Sequence, residues 1–130
     1  MLNIDHHQSN SEFGQIALVD KNSISTTKVL YDFFKSNDIK INSKIATALY
    51  AGLFDDSDCF LADMVQGTTF AFAKDLIDSG SDYKLCNKYI KKYQSLAAFR
   101  LKAIMHRKMK LFHEARVAVF SISREYMKES

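Results

Sequence analysis

The chain has 130 residues, is 47% hydrophobic and 25% charged, and carries a formal net charge of +3. These values lie near the averages of folded globular domains and exclude a disordered tail, a collagenous repeat and a low-complexity linker. No run approaches the ~18 unbroken apolar residues of a membrane span, and Met1 to His7 lack the basic and apolar regions of a secretory signal.

Length alone predicts one domain. Two cysteines, Cys59 and Cys86, are too few for a disulfide framework and fit a reducing, cytoplasmic setting, where they pack as small apolar residues. The mild net charge is unevenly spread. Residues 1–80 hold 6 Lys and Arg against 11 Asp and Glu, whereas residues 81–130 hold 12 against 4. One half is therefore suited to cations and the other to anions, or both are solvated faces of opposite bias.

Proline is absent, so helices must stop at glycine and polar turns. Leu2-Asn3-Ile4 predicts the end of a short strand, and Phe13 to Asp20 a second one. Ser25-Thr26-Thr27 offers N-cap hydroxyls ahead of Val29, Leu30, Phe33 and Phe34, which lie at helical spacing. Asn42 or Ser43 opens a second helix, with Ile45, Ala48, Leu49 and Gly52 along one face. A third helix starts near Thr68, carries Phe72, Leu76 and Ile77, and is closed by Gly80. From Asp82 the helical period runs through Leu85, Cys86, Tyr89, Ile90, Tyr93, Leu96 and Ala97, and on through Leu101, Ile104 and Met105 to Leu111, with a kink on the way. Tyr89 and Tyr93 are expected to pack along this helix. Arg116 to Ile122 alternates as a strand, and Ser123 to Met127 begin a last helix. Two strands at the start and one at the end make a poor sheet for so many apolar helix faces.

Two clusters carry chemistry. Asp5-His6-His7 stands where the first strand ends, the end of an α/β sheet at which ligands bind. An aspartate and two histidines offer oxygen and imidazole donors suited to Mn, Fe, Co or Zn. Side chains of neighbouring strand residues point apart, so both imidazoles can share one site only if the backbone turns beyond the strand. Asp55-Asp56-Ser57-Asp58 is the second cluster. Its three carboxylates are either well solvated or gathered around a cation.

In order and spacing, Ile4-Asp5-His6-His7-Gln8-Ser9-Asn10-Ser11-Glu12-Phe13-Gly14, Leu18-Val19-Asp20, Ser25-Thr26 and Ala51-Gly52-Leu53-Phe54-Asp55-Asp56-Ser57-Asp58-Cys59-Phe60 resemble the DHH phosphoesterases. The branch they resemble contains nanoRNases and pAp phosphatases, related to RecJ-like exonucleases and family II pyrophosphatases. The likeness continues through Leu76 to Gly80 and on to Arg116-Val117-Ala118, where the family's second domain, DHHA1, begins. It implies an α/β fold: the C-terminal half of a DHH-type parallel-sheet domain, predominantly helical as a fragment, with a long connecting helix and a terminal strand. The implied boundaries are 1–92 for the DHH half, 93–113 for the connecting helix and 114–130 for the start of a DHHA1-like domain.

The resemblance also implies chemistry. His6 matches the metal-ligand histidine of the D-H-H motif, His7 its neighbour near the scissile phosphate, and Asp5 supports the pair. Asp56 matches the metal-ligand aspartate of the D-T-G-type motif. The family hydrolyses phosphoesters or phosphoanhydrides, usually with two Mn2+ ions that acidify a water and neutralise charge on the phosphate. Several departures from the family pattern matter. The family's first two metal motifs would lie upstream of Met1, and its DHHA1 substrate motif beyond Ser130. Asp58 adds a carboxylate where the family keeps a small neutral residue, and Lys28 stands where an acidic residue is common.

Two ions need on the order of five or six protein ligands. His6 and Asp56, with Asp5, Asp55 and Asp58 in reserve, are expected to hold one ion weakly at most. The expectation is an incomplete phosphoesterase, inactive alone, acting on short oligonucleotides or nucleotide phosphates such as pAp once an upstream fragment completes it in trans. Its alternatives are a non-catalytic remnant that self-associates as a homodimer, or a nucleic-acid-binding fragment using Arg107, Lys108 and Lys110.

Overall fold

The structure is a computed structural model that describes residues 1–114 and 116–129. Ala115 and Ser130, both within the segment expected to open a second domain, lie outside the described residues. The chain forms two compact units, Met1–Lys92 and Tyr93–Ser130.

In the first unit, β1 (Leu2–Asp5) pairs in parallel with β2 (Ile16–Val19), Leu2 facing Ile16 and Asp5 facing Val19. The strand expected over Phe13 to Asp20 is thus four residues long. Strand length is set by the partner, and β1 offers only four residues of backbone to pair with. This two-stranded sheet leaves Leu2 and Ile16 largely exposed.

Four helices follow. α1 (Thr26–Ser36) opens at Ser25, whose hydroxyl accepts from the Lys28 N–H at 3.1 Å. α2 (Ser43–Asp56) opens at Asn42, whose carboxamide oxygen accepts from the N–H groups of Lys44 and Ile45, both at 3.0 Å. α3 (Gly67–Asp78) opens beside Thr69, whose hydroxyl accepts from the Gln66 N–H at 3.1 Å. It closes at Gly80, where φ is +88°. The Ser81 N–H donates to Leu76 O and the Gly80 N–H to Ile77 O, a Schellman closure that needs a residue free to turn left-handed. α4 (Tyr83–Asn87) is tied to α2 by the Asp82 N–H donating to Thr47 Oγ1 at 2.9 Å.

α2 is the hub. α1, α3 and α4 all pack on it, around Leu49, Leu53, Phe72 and Leu76. Leu53 and Leu76 are fully buried, and the Tyr31 and Phe72 rings meet at 4.6 Å. Cys86 is buried in the same core, as expected, while Cys59 is half-buried.

The single long helix expected from Asp82 to Leu111 is broken. A π-helical turn follows α4 over Lys88–Lys92, and α5 (Leu96–Lys108) starts afresh. Its start is set by Ser95, whose hydroxyl accepts from the Ala98 N–H at 3.1 Å, a local bond that competes with helix continuation. Tyr89 and Tyr93 are both more than half exposed.

The second unit holds α5, an antiparallel hairpin of β3 (Lys110–Phe112) and β4 (Val117–Val119), and α6 (Arg124–Glu129). Leu111, expected at the end of a helix, lies in β3, and the strand expected over Arg116 to Ile122 shortens to three residues. Left-handed backbone at His113 and Glu114 turns the hairpin, without the Asn-Gly or Gly-X signal that reveals such turns in a sequence. Among the described residues no helix is long and apolar enough to cross a membrane. The architecture is mixed and predominantly helical with a small parallel sheet, in line with the expected α/β class.

Candidate functional site

Asp5 is the last residue of β1, and beyond it the backbone turns. That turn brings the His6 and His7 rings within 4.5 Å of each other, although strand geometry would send them to opposite faces. The two imidazoles have different anchors. His6 Nδ1 lies 3.2 Å from the carbonyl oxygen of Ser23, which can only accept, so this ring nitrogen carries the proton. Its Nε2 faces Asp56 Oδ2 at 3.6 Å. His7 is exposed, and its Nδ1 sits 2.7 Å from Asp5 Oδ1.

Asp5 is an organiser. Its carboxylate accepts from Asn10 Nδ2 at 2.5 Å, from the His6 N–H at 2.8 Å, from His7, and at the long distance of 3.4 Å from Thr26 Oγ1. Hydrogen bonds from Asn10 first, and then His7, hold its carboxyl far below the usual carboxylate range. In return, the bond to Asp5 and its negative charge push His7 above the ordinary imidazole value. Asn10 is itself fixed from below: its carboxamide exchanges two hydrogen bonds, at 2.9 and 3.3 Å, with that of buried Asn3 in β1.

Asp56 is the last residue of α2. α2 ends on Asp55 and Asp56 with no basic residue in its last turn, the reverse of what the helix dipole favours. The chain then leaves through three consecutive left-handed residues, Asp58, Cys59 and Phe60, with φ of 46°, 60° and 65°. Such a run is costly outside glycine and persists only where the surroundings impose it. Fully buried Ser57 imposes it here: its hydroxyl accepts from the Phe60 N–H at 3.1 Å and its carbonyl from the Leu61 N–H at 3.0 Å. Asp58 turns towards Lys91, 3.5 Å away, and Asp55 is exposed.

The structure therefore brings together His6, Asp56, Asp5 and His7, and leaves Asp55 and Asp58 outside their hydrogen-bonding network. No group of three or more His, Cys, Asp or Glu able to hold a metal ion occurs among the described residues. Sequence reasoning missed Asn10, Thr26 and Ser23. Asn10 was legible in part, as a carboxamide five residues beyond Asp5 in the same loop; the Ser23 carbonyl had no signal, because any residue supplies one.

The fold is shared with a solved structure, an exopolyphosphatase-related protein from Bacteroides fragilis, at a TM-score of 0.89 and 19% identity, over 98% of this chain and 38% of that one. No family model matches the chain. Among curated proteins it is 30% identical over 83 residues to a probable bifunctional oligoribonuclease and PAP phosphatase NrnA of Streptococcus mutans, covering 64% of this chain and 27% of that protein. It is also 30% identical over 80 residues to the bifunctional oligoribonuclease and PAP phosphatase NrnA of Bacillus subtilis, covering 59% and 26%. The chain thus spans about a quarter of the length of these relatives. Over part of their length the chain is thus similar to bifunctional oligoribonucleases and PAP phosphatases, and it shares the fold of the exopolyphosphatase-related protein.

Proposed function

We propose that this chain supplies part of the catalytic centre of a Mn2+-dependent phosphoesterase acting on short oligonucleotides or nucleotide phosphates such as pAp. The observation that carries the proposal is the facing pair of His6 Nε2 and Asp56 Oδ2, with the His6 proton committed to the Ser23 carbonyl. An imidazole nitrogen and a carboxylate oxygen are the donor types that Mn2+ accepts, and the ring is oriented by its second nitrogen in the usual manner of a ligating histidine. The acidic, uncompensated end of α2 adds a reason for a cation at this place.

When bound, such an ion supplies Lewis acidity towards a phosphoryl oxygen and acidifies water. The chain's own residues do the rest. His7, held through Nδ1 by Asp5 and pushed above the ordinary imidazole value, is the exposed ring placed to meet a phosphate oxygen. Asp5 holds that ring and is itself held by Asn10 and Thr26, so its oxygens are occupied by protein donors.

Two ligands do not make a two-metal centre. The remaining ligands come from further polypeptide, and the open parallel pair β1–β2 is where more strands would join. We therefore propose that the chain is inactive alone and works with an upstream DHH segment, in trans where that segment is separately encoded. Electron paramagnetic resonance of Mn2+ mixed with the whole chain tests the site: weak binding is expected, lost in His6→Ala and in Asp56→Ala. Binding unchanged in both variants would remove the proposal. Adding the upstream segment should restore Mn2+-dependent hydrolysis of a dinucleotide or pAp.

A second function, a self-associating module without catalysis, is favoured by one observation. Leu96 and Phe99 of α5 are both more than 60% exposed, an apolar surface that a homodimer could bury. Sedimentation velocity decides this: a monomer at micromolar concentration contradicts it.

A further inference from the structure

Beside the candidate centre lies a cavity of about 540 Å3. We propose that it binds the nucleoside portion of a phosphoester substrate, an uncharged heterocycle with its sugar; this deepens the phosphoesterase reading and rests on it.

Position is the first reason. Ser23, whose carbonyl orients His6, forms part of the cavity wall, and so does Gln8, two residues beyond His6. A ligand seated there touches the residue that orients His6. The segment that leads from the α2 turn into α3 also lines it, through Met64, Gln66 and Thr68.

Charge is the second. The lining carries two aspartates, Asp20 and Asp32, and two lysines, Lys21 and Lys28. Neither lysine is uncompensated: Lys28 Nζ donates to both Asp32 oxygens, at 2.7 and 2.5 Å, and Lys21 faces Glu12 at 3.9 Å. A balanced lining gives no preference for a phosphate, which the metal-type pair and His7 are placed to receive.

Hydrogen-bonding character is the third. Gln8, Asn22 and Gln66 are carboxamides, each with donor and acceptor capacity, which is what the mixed edge of a nucleobase requires. Gln8 already donates to the Lys21 carbonyl at 2.8 Å, which fixes its orientation. Ile24 and Met64 add apolar surface for the faces of a ring.

The test uses the whole isotope-labelled chain, free of metal, titrated with adenosine and separately with inorganic phosphate while amide resonances are followed. Adenosine should move the amides of Asn22, Ser23 and Thr68, and inorganic phosphate should not. Thr68→Phe, at an exposed position, fills the cavity; Asn22→Leu, also exposed, removes a carboxamide. Each should weaken adenosine about tenfold, on the order of one hydrogen bond to a bound ligand. Asp56→Ala should leave adenosine binding unchanged, and Mn2+ binding that persists in both His6→Ala and Asp56→Ala, with adenosine binding intact, refutes the catalytic reading alone. The cavity proposal is overturned by the absence of adenosine shifts, by shifts confined to residues outside the lining, by an equal response to inorganic phosphate, or by full affinity in both cavity variants.

Discussion

Gly52 fixes how closely α1 and α2 approach, and with them the two elements that carry the halves of the site. α1 follows Ser23 and contributes Thr26 to Asp5, whereas α2 ends on Asp56. A Cβ on Gly52 would lie 2.3 Å from Thr27 Cγ2 and 3.2 Å from Thr27 Oγ1. Ordinary contact needs more than an ångström of added separation at the first atom, and Thr27 is not free to rotate away, because its hydroxyl shares a 2.9 Å hydrogen bond with Ser25. Overpacking of this kind costs about 1–3 kcal/mol, and Gly to Ala inside a helix returns about 1 kcal/mol. Gly52→Ala should therefore lower stability by about 0–2 kcal/mol. Thr27→Ser deletes the clashing methyl and keeps the hydroxyl. In that background the same change should be neutral or stabilising, a coupling of about 1–3 kcal/mol. Urea unfolding followed by circular dichroism gives the four stabilities, with hydrogen exchange at the Leu53 amide reporting on the first unit. Additivity of the two changes, or a Gly52→Ala variant more stable than the parent, would refute the close approach.

Two further predictions concern protonation. Burial and then the 2.8 Å hydrogen bond to Asp75 push the Tyr31 phenol up to about 12 from 10.0. A raised value means that the folded state holds the proton more tightly, so this contribution is whole below pH ~10 and is lost as pH rises through about 12. Tyr31 is only 7% exposed, and two units correspond to about 2–3 kcal/mol. The fall in urea midpoint above pH ~10 should be shallower in Tyr31→Phe than in the parent, with the remainder including Tyr50, which burial also raises. Equal slopes would contradict the assignment. For Asp5 the sign is opposite: its depressed carboxyl stabilises the fold above the unfolded value of 3.8 and the contribution is lost as pH falls through the folded value. Carboxyl carbon resonances should show Asp5 titrating well below other aspartates, and Asn10→Ala should raise it; an unmoved titration would mean that Asn10 does not hold it.

Local chemistry was legible along the chain because it is written in neighbouring residues. Ser25 and Asn42 cap the helices they precede, and Gly80 closes α3, since each acts on backbone groups within a few residues. The D-H-H tripeptide and the acidic end of α2 were likewise readable, as was the kinship they carry. Extents were less so. The period that runs from Asp82 to Leu111 does not reveal that the Ser95 hydroxyl starts a new helix, or that Lys110 to Phe112 pair with Val117 to Val119. Strand pairing depends on a partner elsewhere in the chain, which periodicity cannot name.

Residue types and spacing alone determined that histidine and aspartate side chains of the metal-ligating kind are present in two clusters. Tertiary structure decided which of them meet. His6 turns to Asp56 because the Ser23 carbonyl, seventeen residues away, accepts a hydrogen bond from its Nδ1. Asp5 serves His7 because Asn10 and Thr26 occupy its oxygens, and Asp58 is drawn off to Lys91. A side chain's role is set by the partners that satisfy its donors and acceptors, and those partners are gathered by folding rather than by order along the chain.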